Sequence, residues 1–333
     1  MLRDAVTHTI ACSDDLDATL AFARQLGTAT PSPGHGRTLQ LWQTLASVAA
    51  VDLTVARIVE PHLDALAILR EAREGALATP SSVWGVFAAE SAGVELTAAE
   101  TDDGWRLSGT KPWCSLAGRL SHALVTARLA DGHRRLFAVD LTDEGIVVRP
   151  DAWAARGLTE VPSGPVDFDR VDARPVGAAG WYLSRAGFAW GGIGVAAIWW
   201  GGTLGIARTL DHSTRERRAD QIALMQLGAV DVLIETGRLA LAYAAAVVDA
   251  TGIDAEQPER AGILALRTRS IVAGSAEQVI ARAGHALGPA PLALNASHAR
   301  RVADLQLYLR QHHAERDEAA LGTALLESGL PTW

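Results

Sequence analysis

The run Leu107-Ser108-Gly109-Thr110-Lys111-Pro112-Trp113-Cys114-Ser115 gathers residue types that hold a flat ring with polar edges. Trp113 offers a broad apolar face for stacking. Ser115 carries a hydroxyl that both donates and accepts, and it lies two residues on, which within a strand is the same face. Gly109 allows a positive φ between two strands, and Pro112 stops a regular ladder from running through. A heteroaromatic ligand would suit such a pair. A hairpin with a core tryptophan accounts for the same residues, and both readings stand at this level.

The chain that must position these groups has 333 residues, enough for two or three domains with a substantial core. Thirty basic residues against 38 acidic ones give a net charge of −8, which argues against a nucleic-acid partner. Cys12 and Cys114 are the only cysteines, too few for a disulfide framework, and the start Met1-Leu2-Arg3-Asp4 lacks the apolar run of a secretory signal. A cytoplasmic protein is the expectation. Ala186 to Ala207 carries no charge and is flanked by Arg185 and Arg208, as a membrane span would be, but it holds seven glycines. A helix buried on all sides in a bundle is the preferred reading.

Periodicity divides the chain into three parts. Ser13 reads as an N-cap and Gly27 as the stop of a short helix. Leu39 to about Glu74 carries a helical stripe that Pro61 is expected to break in two. After Thr79-Pro80 the pattern turns to short strands; Asp131-Gly132 between His122–Ala130 and Arg134–Leu141 marks a hairpin, with further strands at Gly145–Arg149 and Val166–Val171, and Pro150, Pro162 and Pro165 at their connections. From Trp181 on, helices are expected over Ala186–His212, Gln221–Ala250, Pro258–Leu287 and Ser297–Leu326. The run Gly192-Ile193-Gly194-Val195-Ala196-Ala197 satisfies a dinucleotide-binding pattern, yet no strand precedes it, so close helix packing explains it better.

The Leu107–Ser115 run resembles the flavin-binding strand of the acyl-CoA dehydrogenase family, and the α, β, α order matches that family. The resemblance implies an α+β multidomain fold: a shortened N-terminal helical domain over 1–82, a middle β-barrel domain over 83–178 and a C-terminal four-helix bundle over 179–333. It implies FAD as cofactor, with Trp113, Cys114 and Ser115 at the ring, the indole covering it and the hydroxyl near its N5. Phe87 to Glu95 resembles the segment that runs along the flavin and the acyl thioester, so Ala89 and Glu90 join the cofactor set, although Ala89 and Val94 replace two hydroxyl residues. Arg215, Ile222 and Gln226 keep the spacing of a motif whose Arg and Gln reach the FAD of a neighbouring subunit, while Arg218 and Ala219 replace its Phe and Gly. An Arg can fork onto a pyrophosphate and a Gln can pair with an adenine or ribose edge. A homodimer or homotetramer would follow, or a hetero-oligomer.

The catalytic carboxylate of the family is missing. Counting from Asp304 in the His298–Asp304 helix, which resembles the family's, puts that position near His312, and no Asp or Glu lies between Asp172 and Asp211 to serve in its place. His312, His313 and Glu315 are therefore the candidate catalytic groups; Asp317, four residues after His313, could orient its imidazole. An ordinary solvated helix face is the competing reading, and no metal-ligand spacing accompanies the pair. Three functions follow from the resemblance. The first is oxidation of the Cα–Cβ bond of an acyl thioester, with electrons passed to an electron-transferring flavoprotein. The second is flavin-dependent monooxygenation, which needs no α-proton base. The third is a non-catalytic partner subunit of a hetero-oligomeric dehydrogenase.

Overall fold

A computed structural model describes residues 2–149, 152–216, 219–252 and 258–329. Pro150 and Arg218, singled out above, lie outside the described residues. Four helices open the chain: α1 (Leu2–Cys12), α2 (Leu16–Ala29), α3 (Thr38–Val51) and α4 (Leu53–Glu71). The cap of α2 is Asp15, not Ser13; its carboxylate accepts from the Ala18 N–H, and the helix runs past Gly27. Pro61 does not break α4. The interruption falls at Asp52, whose extended backbone (φ −145°, ψ 119°) ends α3 and whose side chain caps α4 at the Val55 N–H. Pro61 removes one ladder donor, but buried neighbours on both sides (Ile58, Val59, His62, Leu63) hold the helix through it.

Seven strands follow: β1 (Trp84–Phe87), β2 (Leu96–Thr101), β3 (Gly104–Lys111), β4 (His122–Arg128), β5 (Arg134–Asp140), β6 (Ile146–Val148) and β7 (Val166–Val176). The Asp131-Gly132 hairpin is present, with Gly132 at φ 85° and His122 to Arg128 in register with Asp140 to Arg134. Strand β5 pairs both β4 and β7, and a single parallel bridge, Thr97 to Arg128, joins β2 to β4, so the sheet closes into a small barrel. At Gly109 (φ 118°) a Cβ would meet the Glu95 carbonyl oxygen, so only glycine fits the irregularity in the β3–β7 pairing.

The remainder is helical: α5 (Trp181–Ser184), α6 (Ala186–Glu216), α7 (Gln221–Thr251), α8 (Pro258–Leu287), α9 (Ala290–Leu294), α10 (Ala296–Tyr308) and α11 (Glu315–Glu327). The single helix expected over Ser297–Leu326 is broken at residues 309–314, where Ala314 takes φ 48°. The break is stabilised from the far side: the Asp317 carboxylate accepts the His313 N–H, and three acids in the first turn of α11 suit a helix start. Among the described residues no helix is long and apolar enough to cross a membrane. The glycines of α6 instead admit close neighbours. A Cβ on Gly201 would lie 2.2 Å from the Ala46 carbonyl oxygen of α3, so Gly201→Ala should cost about 1–3 kcal/mol by overpacking. Gly194→Ala meets only ordinary contacts, the nearest at 3.5 Å, and should stabilise the helix by about 0.5–1 kcal/mol. Urea midpoints of the two variants check the contrast.

Candidate functional site

Strand β3 ends at Lys111, so Trp113 and Ser115 do not share a strand face as their spacing suggested. Pro112 supplies no N–H, Trp113 turns into the left-handed region at φ 60°, and the two side chains part. Trp113 stands 55% exposed, while Ser115 is buried. The exposed indole follows directly on Lys111 and Pro112, which line a cavity of about 470 Å³ together with Glu90, Gly93, Glu95 and Arg128. That size lies within the range of small-molecule sites, about 300–1,000 Å³.

Charges around this cavity are paired except at one point. Glu90 meets Arg134 and Glu95 meets Arg128. Lys111 is almost wholly buried and donates from Nζ to the Thr126 carbonyl at 2.9 Å and hydroxyl at 2.8 Å. Burial pulls its pKa down to about 8, and the Glu90 carboxylate pulls the other way. Ala89 is exposed. Cys114 is buried with its Sγ on the Lys111 carbonyl, and burial pushes its thiol up to about 12, so it is an inert packing group.

Ser115 is the end of a polar chain that crosses the molecule. Its hydroxyl accepts from Arg57 Nη2 at 2.9 Å and lies 2.8 Å from the Ser163 hydroxyl. The Ser163 hydroxyl is 3.0 Å from the Val161 carbonyl, and when it donates there the Ser115 hydroxyl donates to Ser163. Arg57 on α4 pairs with Glu60 at 3.6 Å and lies 5.4 Å from the centre of the Tyr308 ring, and the Tyr308 hydroxyl reaches Glu60 at 3.5 Å. Tyr308 packs edge-on against Trp199, and Trp199 packs in the same way against His312. Arg269 lies over the Trp199 ring at 4.7 Å and donates to the carbonyls of Gly192 and Gln311, tying α8 to α6 and to the broken helix.

The three candidate catalytic residues separate. His312 is buried at the break, 3.2 Å from the Ser270 hydroxyl, and burial first and Arg269 next hold its pKa below the usual histidine value, against the pull of Asp317. His313 points outward, its Nδ1 3.1 Å from Asp317, so the spacing of four does bring that pair together. Glu315 is exposed at the first position of α11. At the other proposed cofactor contact, Arg215 Nε lies 2.9 Å from both oxygens of Asp211, and Gln226 accepts from Arg282 at 3.2 Å. Sequence reasoning missed Arg57, Glu60, Asp64, Arg269 and Tyr308. The signal for the first three was their spacing of three and four along one stripe of α4, between buried apolar residues.

Residues 88–171 match the family description "Acyl-CoA dehydrogenase, middle domain". Solved structures extend the likeness over the whole chain. Methanesulfinate monooxygenase MsuC from Pseudomonas fluorescens is 20% identical, with 99% of this chain and 95% of that chain covered and a TM-score of 0.77. KijD3, in complex with FMN and dTDP-3-amino-2,3,6-trideoxy-4-keto-3-methyl-D-glucose, is 19% identical over 99% of this chain and 93% of that chain, with a TM-score of 0.82. Dibenzothiophene monooxygenase TdsC from Paenibacillus sp. A11-2 is 16% identical over 94% of this chain and 88% of that chain, with a TM-score of 0.78. No curated protein sequence matches. The chain therefore has the acyl-CoA dehydrogenase fold, and its residues 88–171 match the middle domain of that family.

Proposed function

We propose that this protein is a flavin-dependent monooxygenase that works with reduced FMN. The observation that carries the reading is the hydrogen-bond state of Ser115. With Ser163 donating to Val161, its proton goes to Ser163 and one lone pair to Arg57, an arrangement in which it would accept from a ligand, which suits the N5–H of a reduced ring. The exposed face of Trp113 supplies the stacking surface, and the adjoining cavity has the size for the ring system. TdsC and KijD3 are both known with FMN bound.

When bound, reduced FMN would supply the two electrons and two protons with which dioxygen gives one oxygen atom to the substrate and the other to water. The protein's own groups do the rest. Arg57 and Ser163 fix the Ser115 oxygen so that it need not reorganise on binding. His312, held neutral by burial, can take up or pass a proton without carrying a standing charge. Trp199 and Tyr308, both buried, keep water from that side. The imidazole of His312, in the region where the resemblance implies a carboxylate, favours oxygen insertion over Cα–Cβ oxidation. Acyl thioester oxidation with FAD is the second reading; it is favoured by the retained spacing of Arg215 and Gln226, and opposed by their engagement with Asp211 and Arg282 of the same chain.

Self-association belongs to this proposal. Ile222, Met225, Val232, Leu239 and Tyr243 are exposed along α7 at spacings of three, seven, seven and four, one apolar face that no described residue covers. A second copy of the chain is the proposed partner. Anaerobic titration with reduced FMN, read by tryptophan quenching, tests the flavin assignment. Trp113→Ala should weaken binding by about 5- to 150-fold, the worth of about 1–3 kcal/mol of aromatic stacking. No saturable binding to the intact protein, or equal binding by the variant, would remove the reading.

A further inference from the structure

The backbone that carries Trp113 and Ser115 is strained on both sides of the serine and tied on both sides of it. Trp113 and Leu116 take φ 60° and 56°, a left-handed conformation that residues with a Cβ keep only where their surroundings over-determine it. The ties come from the loop 156–164. The Cys114 N–H donates to the Gly164 carbonyl at 3.0 Å, and the Leu116 N–H to the Pro162 carbonyl at 2.8 Å. Ser163, between those two residues of the loop, has its hydroxyl 2.8 Å from that of Ser115. The loop is strained in its turn, with Leu158 at φ 50°, so it needs a hold of its own.

Helix α10 supplies that hold. The Asp304 side chain, 4% exposed, accepts the Leu158 N–H at 2.6 Å. One residue earlier, a Cβ on Gly157 would lie 2.2 Å from the Ala303 carbonyl oxygen, so loop and helix meet backbone to backbone. Arg300, one turn before Asp304, fixes which way the carboxylate faces. Its guanidinium lies 3.7 Å from the other Asp304 oxygen and 3.5 Å from Glu160 of the loop, and it also reaches Asp14 and Asp52 at 2.7 and 3.1 Å. The Leu158 carbonyl accepts the Val161 N–H at 3.0 Å and the Trp153 indole N–H at 3.3 Å, which closes the turn that leads to Ser163.

We propose that Asp304 is a positioning residue for the Trp113–Ser115 segment: by holding Leu158 it sets the loop whose Ser163 hydroxyl and two flanking carbonyls keep that segment in place. Asp304 touches no ligand itself, and this role rests on the flavin reading for its purpose though not for its geometry. A carboxylate suits the task because a charged acceptor makes the shorter and stronger hydrogen bond. Without it the Leu158 N–H would be left unpaired on a buried residue, and the strained turn would lose its anchor. The ring segment would then spend part of its time out of place, and apparent affinity falls with the fraction of chains that are competent to bind.

Amide hydrogen exchange at single-residue resolution, on the flavin-free protein, tests the hold, and anaerobic titration with reduced FMN tests its purpose. Asp304→Ala should speed exchange of the Cys114 and Leu116 amides by about 5- to 150-fold, the worth of one buried donor left unpaired, while the amides of β4 keep their parental rates. It should also weaken reduced FMN at least about fivefold. Asp304→Asn keeps an acceptor for Leu158 and should bring both readouts to within about threefold of the parent. That rescue, with β4 unmoved, separates a hold on the segment from a general loosening. Unchanged exchange at Cys114 and Leu116 in a natively melting Asp304→Ala protein, exchange raised equally in β4, or no rescue by asparagine would each overturn the proposal. Where the alanine variant does not fold, the unmutated chain decides. Its Leu158, Cys114 and Leu116 amides should open together, and opening of the last two about tenfold more often than Leu158 would overturn the proposal as well. A parent that binds no reduced FMN would remove the flavin reading, and the exchange rates, which need no flavin, would still decide whether Asp304 holds the segment.

Discussion

Replacing Arg185 by Met is expected to cost about 3–5 kcal/mol of stability, among the largest losses any single substitution in this chain should produce. Arg185 stands between α5 and α6 with its side chain 3% exposed. It pairs with Glu71 at the end of α4 at 2.5 Å and is the main cationic influence on the raised carboxyl of Asp64. Its guanidinium also lies 5.2 Å from the ring centre of Tyr182 and 5.6 Å from that of Trp181. A Cβ on Gly187 would fall 2.2 Å from both the guanidinium and the Glu71 carboxylate, so the backbone itself leaves room for the pair. Methionine preserves the bulk but strands two carboxyls without their cation. Urea unfolding measures the loss, which should be greater at about pH 8 than at about pH 5, because an acid held above its ordinary pKa is neutral, and so less penalised, at the lower pH. The double variant Arg185→Met with Glu71→Leu should recover part of the loss, since breaking a buried pair costs more than removing it. A single-variant cost below about 1 kcal/mol would mean that water, not Arg185, compensates these carboxyls.

The parts of the fold that local chemistry writes were legible. Asp131-Gly132 marked its hairpin because a two-residue turn demands residues that tolerate positive φ, and the charge-free Ala186–Ala207 run marked a helix packed on all sides. The barrel was expected from the family resemblance; strand patterning alone did not show its closure, because that rests on a lone bridge between Thr97 and Arg128 and on β5 reaching both β4 and β7. The interruption of the third and fourth helices was assigned to Pro61, since a missing donor is visible in sequence; the packing that carries α4 through it comes from tertiary contacts, whereas the cap at Asp52 is a local contact to the Val55 N–H that the reading passed over. The site divided in the same way. Trp113 was visible as a stacking surface, but its left-handed φ separates it from Ser115 in a way that strand periodicity does not foresee. The partner of Ser115, Arg57, lies on another element 58 residues away. His312 was visible as a titratable group, while its burial depends on a helix break at Ala314 that no glycine or proline announces.

Acidification should weaken the junction of the helical and β regions through one imidazole, His62. This residue of α4 is 3% exposed, and its Nδ1 accepts the backbone N–H of Trp84, the first residue of β1, at 3.3 Å. That contact puts the ring proton on Nε2, the ring atom nearest to Gly27, where an added Cβ would lie 2.9 Å away. Trp84 is in turn fixed by its indole N–H on Ser82 and by stacking on His122 at 4.7 Å. Burial first, then Arg24 and Arg70, lower the His62 pKa from 6.5 to about 4. Above pH 6.5 the folded and unfolded chains are both neutral at this ring and the contact is intact. As the pH falls from 6.5 towards 4, the unfolded chain takes up a proton that the folded chain refuses, so stability drops by an amount on the order of 3 kcal/mol. Glu60 works with the opposite sign: its raised pKa makes the folded chain the better proton binder between about 4.5 and 7 and offsets part of the loss. The comparison that isolates His62 is therefore the difference in unfolding free energy between the parent and His62→Gln, whose amide oxygen can still accept from Trp84 but takes no charge. That difference should move in favour of the glutamine variant by about 2–3 kcal/mol between about pH 7 and pH 4. Parallel pH profiles for the two proteins would show that water reaches the ring and that the α4–β1 contact tolerates its charge.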